Sequence, residues 1–450
     1  MDTQSLIAKY DQRVPRYTSY PTAPHFTPAV DPARHAGWLW ELDPAIPVSL
    51  YLHVPFCDSL CLFCGCHTTV ARRTEPLIAY ATTLLAEIDL LARTIGHRAA
   101  VSHVHWGGGT PTTLPADWML TVGTRLRQHF DFLADAEIAV EVDPRTLAAE
   151  SLAAMAEMGV NRASLGVQDF DPAVQRAVNR IQPYDVTAAC AERLRGIGVR
   201  SLNLDLIYGL PFQTVASVAA TVRQALALRP DRVAVFGYAH VPWMKKHQSL
   251  LSDESLPGPL ERFEQREAAD AELVAAGYVA VGLDHYALPE DSMATAAGSD
   301  RLRRNFQGYT TDDAGTLLGL GASSISALPQ GYTQNLPSVP AWRDAVRADT
   351  LPTARGVALT DDDRLRRSVI EQLMCTMQVD LVAMAEAHGA DPAPLLAAGP
   401  GLVDQAKDGL VEWDGRRIRV TALGKPFMRA TAALFDTYLQ AGTTRHAATV

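Results

Sequence analysis

"VSLYLHVPFCDSLCLFCGC" spans Val48–Cys66, an apolar alternating run followed by four of the chain's six cysteines, Cys57, Cys61, Cys64 and Cys66. The first half reads as a strand. Leu50, Leu52, Val54 and Phe56 share one face, while Ser49, Tyr51 and His53 share the other. The second half requires an explanation for four sulfurs in one loop. The Cys-x3-Cys-x2-Cys-x-Cys spacing lacks the two separated Cys-x2-Cys knuckles of a zinc ribbon. It also departs from the ferredoxin run, whose cysteines are evenly spaced. Three thiolates from one loop can hold three irons of a cubane and leave the fourth open. Spacing alone favours an iron–sulfur cluster over zinc, and zinc over unliganded structural thiols. Cys190 and Cys375 stand alone in helical patterns and read as buried thiols.

The strand that feeds this loop is the first of a series. "SHVHWGGGT", "EIAVEVDP", "RASLGVQDF", "SLNLDLIYG", "RVAVFGYAH" and "YVAVGLDHYA" follow, separated by helical patterns such as "PLIAYATTLLAEIDLLA". Strands alternating with helices of this length imply βα units on a parallel sheet. Six units and a closing strand predict an α/β fold, a partial (βα)6 TIM-like barrel. Alternation turns Glu141, Gln168, Asn203 and Asp205 inward near the strand ends, where barrel enzymes place their chemistry. Asp143, before Pro144, also suits a helix cap. The glycine run at Gly107–Gly109 would let a ligand approach bare backbone, but lacks a P-loop lysine.

The chain has 450 residues and a formal charge of −10, which argues against nucleic acid or an anionic membrane as the main partner. No apolar run reaches the roughly 20 residues that span a bilayer. The start lacks a secretory pattern, so the expectation is a cytoplasmic protein. Expected divisions are an N-terminal arm (1–45), the barrel (46–290), a barrel extension (291–352) and a C-terminal lid domain (353–450). In the last, "LTDDDRLRRSVIEQLM" predicts a helix capped by Thr360, and a hairpin is expected to turn at Asp414-Gly415. Helices followed by a hairpin resemble a winged helix. Arg416, Arg417 and Arg419 make a thin footprint for DNA.

The cysteine loop with Phe63 before its third cysteine resembles the radical S-adenosylmethionine superfamily. "RYTSYPTA", "HWGGGTPT", "EVDPR", "LGVQDF", "VNRIQ", "NLDLIYGLP", "GYAHVP", "GLDHYALP", "RNFQGYTT" and "ALFDTYL" extend the resemblance over nearly the whole chain, to the oxygen-independent coproporphyrinogen III oxidase (coproporphyrinogen dehydrogenase) family. Relatives that act as haem chaperones usually carry an aromatic where this chain has Cys66. The resemblance implies oxidative decarboxylation of the ring A and B propionates of coproporphyrinogen III to vinyl groups, giving protoporphyrinogen IX in haem biosynthesis. It implies a [4Fe–4S] cluster that generates a 5′-deoxyadenosyl radical from S-adenosylmethionine, with two such molecules per site.

By the same resemblance Cys57, Cys61 and Cys64 are cluster ligands, and Cys66, Tyr51 and Glu141 are catalytic. Tyr51, Gly108, Glu141 and Ile325 match positions holding the first S-adenosylmethionine. Phe63, Gly109, Thr110, Gln168, Arg180, Asp205 and Ala239 match those holding the second. A reductase or flavodoxin-type electron donor and a monomer are implied. The substrate's carboxylates require cations, for which Arg16, Lys245, Lys246, Arg301, Arg303 and Arg304 are candidates. Two rivals stand beside this reading. One is a haem chaperone or another tetrapyrrole-modifying radical protein; the other is a zinc-stabilised DNA-binding regulator.

Overall fold

The structure is a computed structural model, described here for residues 2–439; Met1 and residues 440–450 of the expected C-terminal domain lie outside the described residues. Six strands, β1 (Val48–Val54), β2 (Ala100–Gly108), β3 (Asp131–Val142), β4 (Arg162–Gln168), β5 (Ser201–Tyr208) and β6 (Arg232–Gly237), pair in parallel in chain order. Leu50, Leu52 and Val54 on β1 are fully buried against the covering helices. The helix Thr74–Ile95 contributes Leu84, Ile88 and Leu91 to that layer, and ends on Gly96 in the left-handed region at φ +80°. Side chains from Ser49 on β1 to Phe236 on β6 line one cavity, so the sheet curls around it.

The expected closing strand is instead a hairpin. β7 (Val279–Val281) and β8 (His285–Ala287) are antiparallel, and β8 pairs antiparallel with β6. The reason is Gly282, at φ +58°, where an added Cβ would lie 2.0 Å from the Tyr309 ring. "RNFQGYTT" forms a second hairpin, β9 (Arg303–Asn305) with β10 (Gly308–Thr310). Four strands then extend the sheet beyond β1: β11 (Leu317–Leu320), parallel to β1, and β12 (Ile325–Leu328), β13 (Gly331–Asn335) and β14 (Thr353–Ala358), each antiparallel to its predecessor. The sheet therefore continues past residue 352 to Ala358.

The N-terminal residues contribute to two cores. The helix Thr3–Tyr10 packs with Tyr17 and Tyr20 into the C-terminal core, beside Val369, Leu373 and Phe427, whereas Trp38 and Leu39 join the main core. The helix Asp361–Thr376 starts at the capping box of Thr360 and Asp363, as its sequence predicts. A small sheet of β15 (Gln378–Asp380), β16 (Val411–Trp413) and β17 (Arg417–Val420) completes this region. Its hairpin turns at Asp414 and Gly415. Arg416 and Arg417 share Asp380, and Arg419 pairs with Glu412, so all three guanidiniums are engaged within the domain. No helix among the described residues is long and apolar enough to cross a membrane.

One buried acid ties the extension to the barrel. Glu87 accepts hydrogen bonds from Gly321 N (2.7 Å) and Asn335 Nδ2 (2.6 Å). Burial pushes its carboxyl up to about 7, against an ordinary 4.5. A raised acid holds its proton longer in the folded chain, so its contribution to stability falls as pH rises between those values. Glu87→Gln removes the titration. Relative to wild type, the variant is expected to gain on the order of 2 kcal/mol of stability between pH 5 and 8. Urea melts of both proteins at those pH values test this; parallel pH curves would refute it.

Candidate active site

At the carboxyl ends of β1–β6 the cysteine loop closes over the cavity, whose volume is about 370 Å³. Cys57, Cys61, Cys64, Cys66, Phe63, Gly108, Gly109, Thr110, Glu141, Gln168, Arg180 and Asp205 all line it. Tyr51 stands behind this lining. Ala239 offers its carbonyl to Gln248 Nε2 (3.2 Å), and Ile325 lies half-buried on β12 among the side chains around Phe26 and Tyr332.

Each of the three expected ligand sulfurs has its own donors. Cys57 Sγ is within hydrogen-bonding distance of Thr68 Oγ1 (3.1 Å) and accepts from Thr110 Oγ1 (3.6 Å). Burial raises this thiol, and those hydroxyls oppose the rise. Cys61 Sγ accepts from Arg180 Nη1 (3.5 Å) and Arg145 Nη2 (3.7 Å). Cys64 Sγ accepts from Cys66 N (3.4 Å); the Cys66 side chain first, and then this N–H, pull the Cys64 thiol down, while the side-chain contact and burial hold Cys66 up. Hydrogen bonds to sulfur and nearby cations are the means by which proteins tune clustered thiolates. Among the described residues no three His, Cys, Asp or Glu side chains converge as one single-ion site would require. The thiol set, its cations and the cavity beside it fit a multi-iron cluster.

The loop is clasped from a distance. Lys245 Nζ, His247 Nε2 and Gln248 Nε2 donate to the carbonyls of Cys66 (2.8 Å), Cys64 (2.8 Å) and Phe63 (2.9 Å). Lys245 is thus engaged with backbone, and the exposed side chains of Arg301 and Arg303 donate to Ser299 Oγ and to the Asp300 and Leu302 carbonyls.

Glu141, at the end of β3, accepts from His105 Nε2 (3.0 Å) and Gly108 N (3.1 Å). Burial would raise its carboxyl, but these donors outweigh burial and hold it below the usual range, so it is ionised at neutral pH. The glycine run is consumed internally. Gly109 N and Thr110 N donate to Val54 O (2.8 Å) and Phe56 O (2.7 Å), so these N–H groups are not left for a ligand as the sequence suggests. A Cβ at Gly109 would sit 2.5 Å from Phe56 O. Gly109→Ala must therefore displace the strand leading into the cysteine loop, with an expected cost of about 1–3 kcal/mol. Its thermal melt and iron content are expected to fall together; an unchanged melt would contradict the contact.

On β4 and β5 a separate polar set forms. Asp205 accepts from Ser164 Oγ (2.9 Å) and Asn203 Nδ2 (2.8 Å), and burial raises its carboxyl despite both donors. Gln168 holds φ +70°, an uncommon conformation for a residue with a side chain, at the cavity wall. Asp143 both caps the Arg145 N–H (3.0 Å) and pairs with Arg145 and Arg180.

Sequence reasoning missed His105, Arg145 and the role of His53. His53 Nε2 donates to His67 O (3.1 Å), which leaves Nδ1 to accept from the Tyr51 hydroxyl (3.0 Å). Burial depresses His53, consistent with this neutral form. The inward face of each strand was the available signal for His53 and His105, and "EVDPR" for Arg145. None of the described residues 359–439 lines the cavity, whereas β9 and β10 contribute Asn305, Tyr309 and Thr310.

Residues 51–225 match the radical SAM superfamily, and residues 359–427 match the HemN C-terminal domain. The chain is 51% identical over 450 residues to the oxygen-independent coproporphyrinogen III oxidase of Bradyrhizobium diazoefficiens, covering 100% of both chains. The relative of that name from Paracoccus denitrificans is 44% identical, again over 100% of both. This chain belongs to the oxygen-independent coproporphyrinogen III oxidase family. A solved member, the Escherichia coli coproporphyrinogen III oxidase described as a radical SAM enzyme, superposes with TM-score 0.90. That structure is 40% identical and covers 95% of this chain and 100% of its own. Membership in the family makes the chain a radical SAM oxidoreductase with a [4Fe–4S] cluster and S-adenosylmethionine, and sets aside the chaperone and zinc-regulator readings.

Proposed function

We propose that the chain performs the reaction for which its relatives are named, on coproporphyrinogen III, converting the ring A and B propionates to vinyl groups to give protoporphyrinogen IX in haem biosynthesis. The observation that carries this reading is the meeting of Cys57, Cys61, Cys64, Glu141 and Arg180 in one cavity. When bound, the cluster with S-adenosylmethionine supplies the hydrogen-abstracting chemistry that oxygen would otherwise provide. Cys57, Cys61 and Cys64 would hold its iron. Arg145 and Arg180 offset negative charge at Cys61, and Thr110 orients Cys57.

Glu141, fixed by His105 and Gly108, is suited to the ammonium group of the first S-adenosylmethionine, with Tyr51, Gly108 and Ile325 around it. The separate polar set on β4 and β5 supports a second molecule at Gln168, Arg180 and Asp205, with Phe63, Gly109, Thr110 and Ala239. Cys66, beside the ligand Cys64, serves turnover rather than iron binding. Residues 1–45, 46–290, 291–352 and 353–450 are read as arm, barrel, extension and C-terminal domain. The working form is a cytoplasmic monomer served by a reductase or flavodoxin-type donor.

Anaerobic turnover of coproporphyrinogen III by iron-loaded protein supplied with S-adenosylmethionine, a reductant and an electron acceptor, with the product identified by mass, tests the reaction. Formation of protoporphyrinogen IX with two molecules of carbon dioxide is expected. Methionine release without any change in the tetrapyrrole would overturn the substrate.

A further inference from the structure

Away from the cysteines, the β6 side of the barrel mouth gathers arginines. Arg16 Nη2 donates to Gly237 O (3.0 Å) at the end of β6. Arg262 Nη2 donates to Tyr238 O (3.0 Å). Its guanidinium lies over Gly209 and Gly237, where an added Cβ would be 3.2 and 3.4 Å from its nitrogens. Arg304 Nη2 donates to Arg16 O (3.3 Å), and its guanidinium carbon sits 4.3 Å from the centre of the Tyr309 ring.

These cations are under-matched. Among the described residues, none of Arg16, Arg262 and Arg304 has a carboxylate within 4.0 Å. Arg262 Nε, Arg304 Nε and Arg304 Nη1 are buried without a hydrogen-bond partner there. Asp284 faces the group, but its carboxylate is taken up by His285 Nδ1 at 2.7 Å. Despite burial, that contact and the charges of Arg304 and Arg16 bring Asp284 down to about 2. Arg429 adds a further guanidinium, lowered to about 10 by burial and then by Arg16. Arg16 and Arg304 thus share one carboxylate, and a further anion would improve that balance. The chain's net charge of −10 makes the local concentration more distinctive still. Beside it, Phe236, His285 and Tyr309 form edge-to-face contacts and line the cavity.

We propose that Arg16, Arg262 and Arg304 form a carboxylate-binding subsite at the barrel mouth, which holds the propionates that the reaction leaves intact. This rests on the substrate reading above. Two of the four propionates are converted, and a flat tetrapyrrole must be anchored by the others if each reacting side chain is to stay in place. Guanidinium forks suit carboxylates in bidentate geometry. Glycine at positions 209 and 237 gives Arg262 the room to reach the rim.

The test is equilibrium binding of coproporphyrin III, the fluorescent aromatic form of the tetracarboxylate, to anaerobic iron-loaded protein without reductant. Arg16→Gln and Arg304→Gln are each expected to raise Kd about tenfold, the loss of one charged hydrogen bond. Arg304→Lys should retain part of that affinity, and iron content should not change. The tetramethyl ester of the same porphyrin should bind wild type and variants alike. Arg16 is exposed, so its replacement leaves the core untouched. Values of Kd within about twofold of wild type in Arg16→Gln, Arg262→Gln and Arg304→Gln would overturn the subsite. So would an equal loss of ester affinity. If wild type neither binds coproporphyrin III nor turns over coproporphyrinogen III, the substrate reading falls and takes the subsite with it.

Discussion

Replacing Cys57, Cys61 or Cys64 by Ala is expected to leave a colourless protein with almost no iron. Cys66→Ala should remain brown but lose turnover. A three-thiolate site on one loop has no spare ligand, and the surrounding groups are individually committed. Thr110 serves Cys57, Arg145 and Arg180 serve Cys61, and the Cys66 backbone serves Cys64. That last contact comes from a main-chain N–H, so it survives loss of the Cys66 side chain. Iron and acid-labile sulfide, assayed on anaerobically purified variants, decide the matter. Loss of all iron in Cys66→Ala would mean that the ligand set is wrong.

Arg180→Ala is expected to damage stability and iron retention together. Resemblance alone assigns Arg180 to the second S-adenosylmethionine, which predicts a variant with an intact cluster and no product. The structure changes that expectation. Arg180 and Asp143 are a buried pair at 3.2 Å, and Arg180 also donates to Cys61 Sγ and Gly166 O. Removing one partner of a buried pair commonly costs about 3–5 kcal/mol. Arg145 still holds Asp143 through its backbone N, Nε and Nη2, so the lower end of that range is expected. Asp205→Asn offers the contrast, since it keeps acceptor capacity toward Ser164 and touches no cysteine. Its iron content should match wild type while product formation falls. Chemical denaturation and iron assays of both variants separate the two roles. Full stability and iron in Arg180→Ala would return that residue to a purely ligand-facing role.

The strands and the cysteine loop were legible because their signals are local. Alternation between Leu50 and Tyr51 and the capping pair at Thr360 are set by neighbours a few residues apart. The β7–β8 hairpin reads as one strand because apolar residues flank Gly282 on both sides; only the packing of Tyr309 against Gly282 reveals the turn. The strands β11–β13 follow one another without helices, and the helix Val339–Arg347 precedes an antiparallel β14, so no βα rhythm marks them. In the site, inward-facing Glu141 and Asp205 could be read from period two. His105 beside Glu141, Arg145 beside Cys61, and the clasp from Lys245 to Gln248 join residues far apart in the chain. Such contacts leave no mark on spacing.

The clasp also orders events during synthesis. The carbonyls of Phe63, Cys64 and Cys66 find their donors only at positions 245–248, and β1 gains its second neighbour only at β11. A ribosome exposes the cysteines long before either partner has emerged, and non-local pairing is slow to form. Until then the loop is a slack, oxidisable segment on an open sheet edge. Iron delivered early would meet three unfixed thiols; iron delivered after residue 320 has left the ribosome would meet a shaped receptor. The loop is therefore fully fixed only when residues 245–248 and β11 have folded against it.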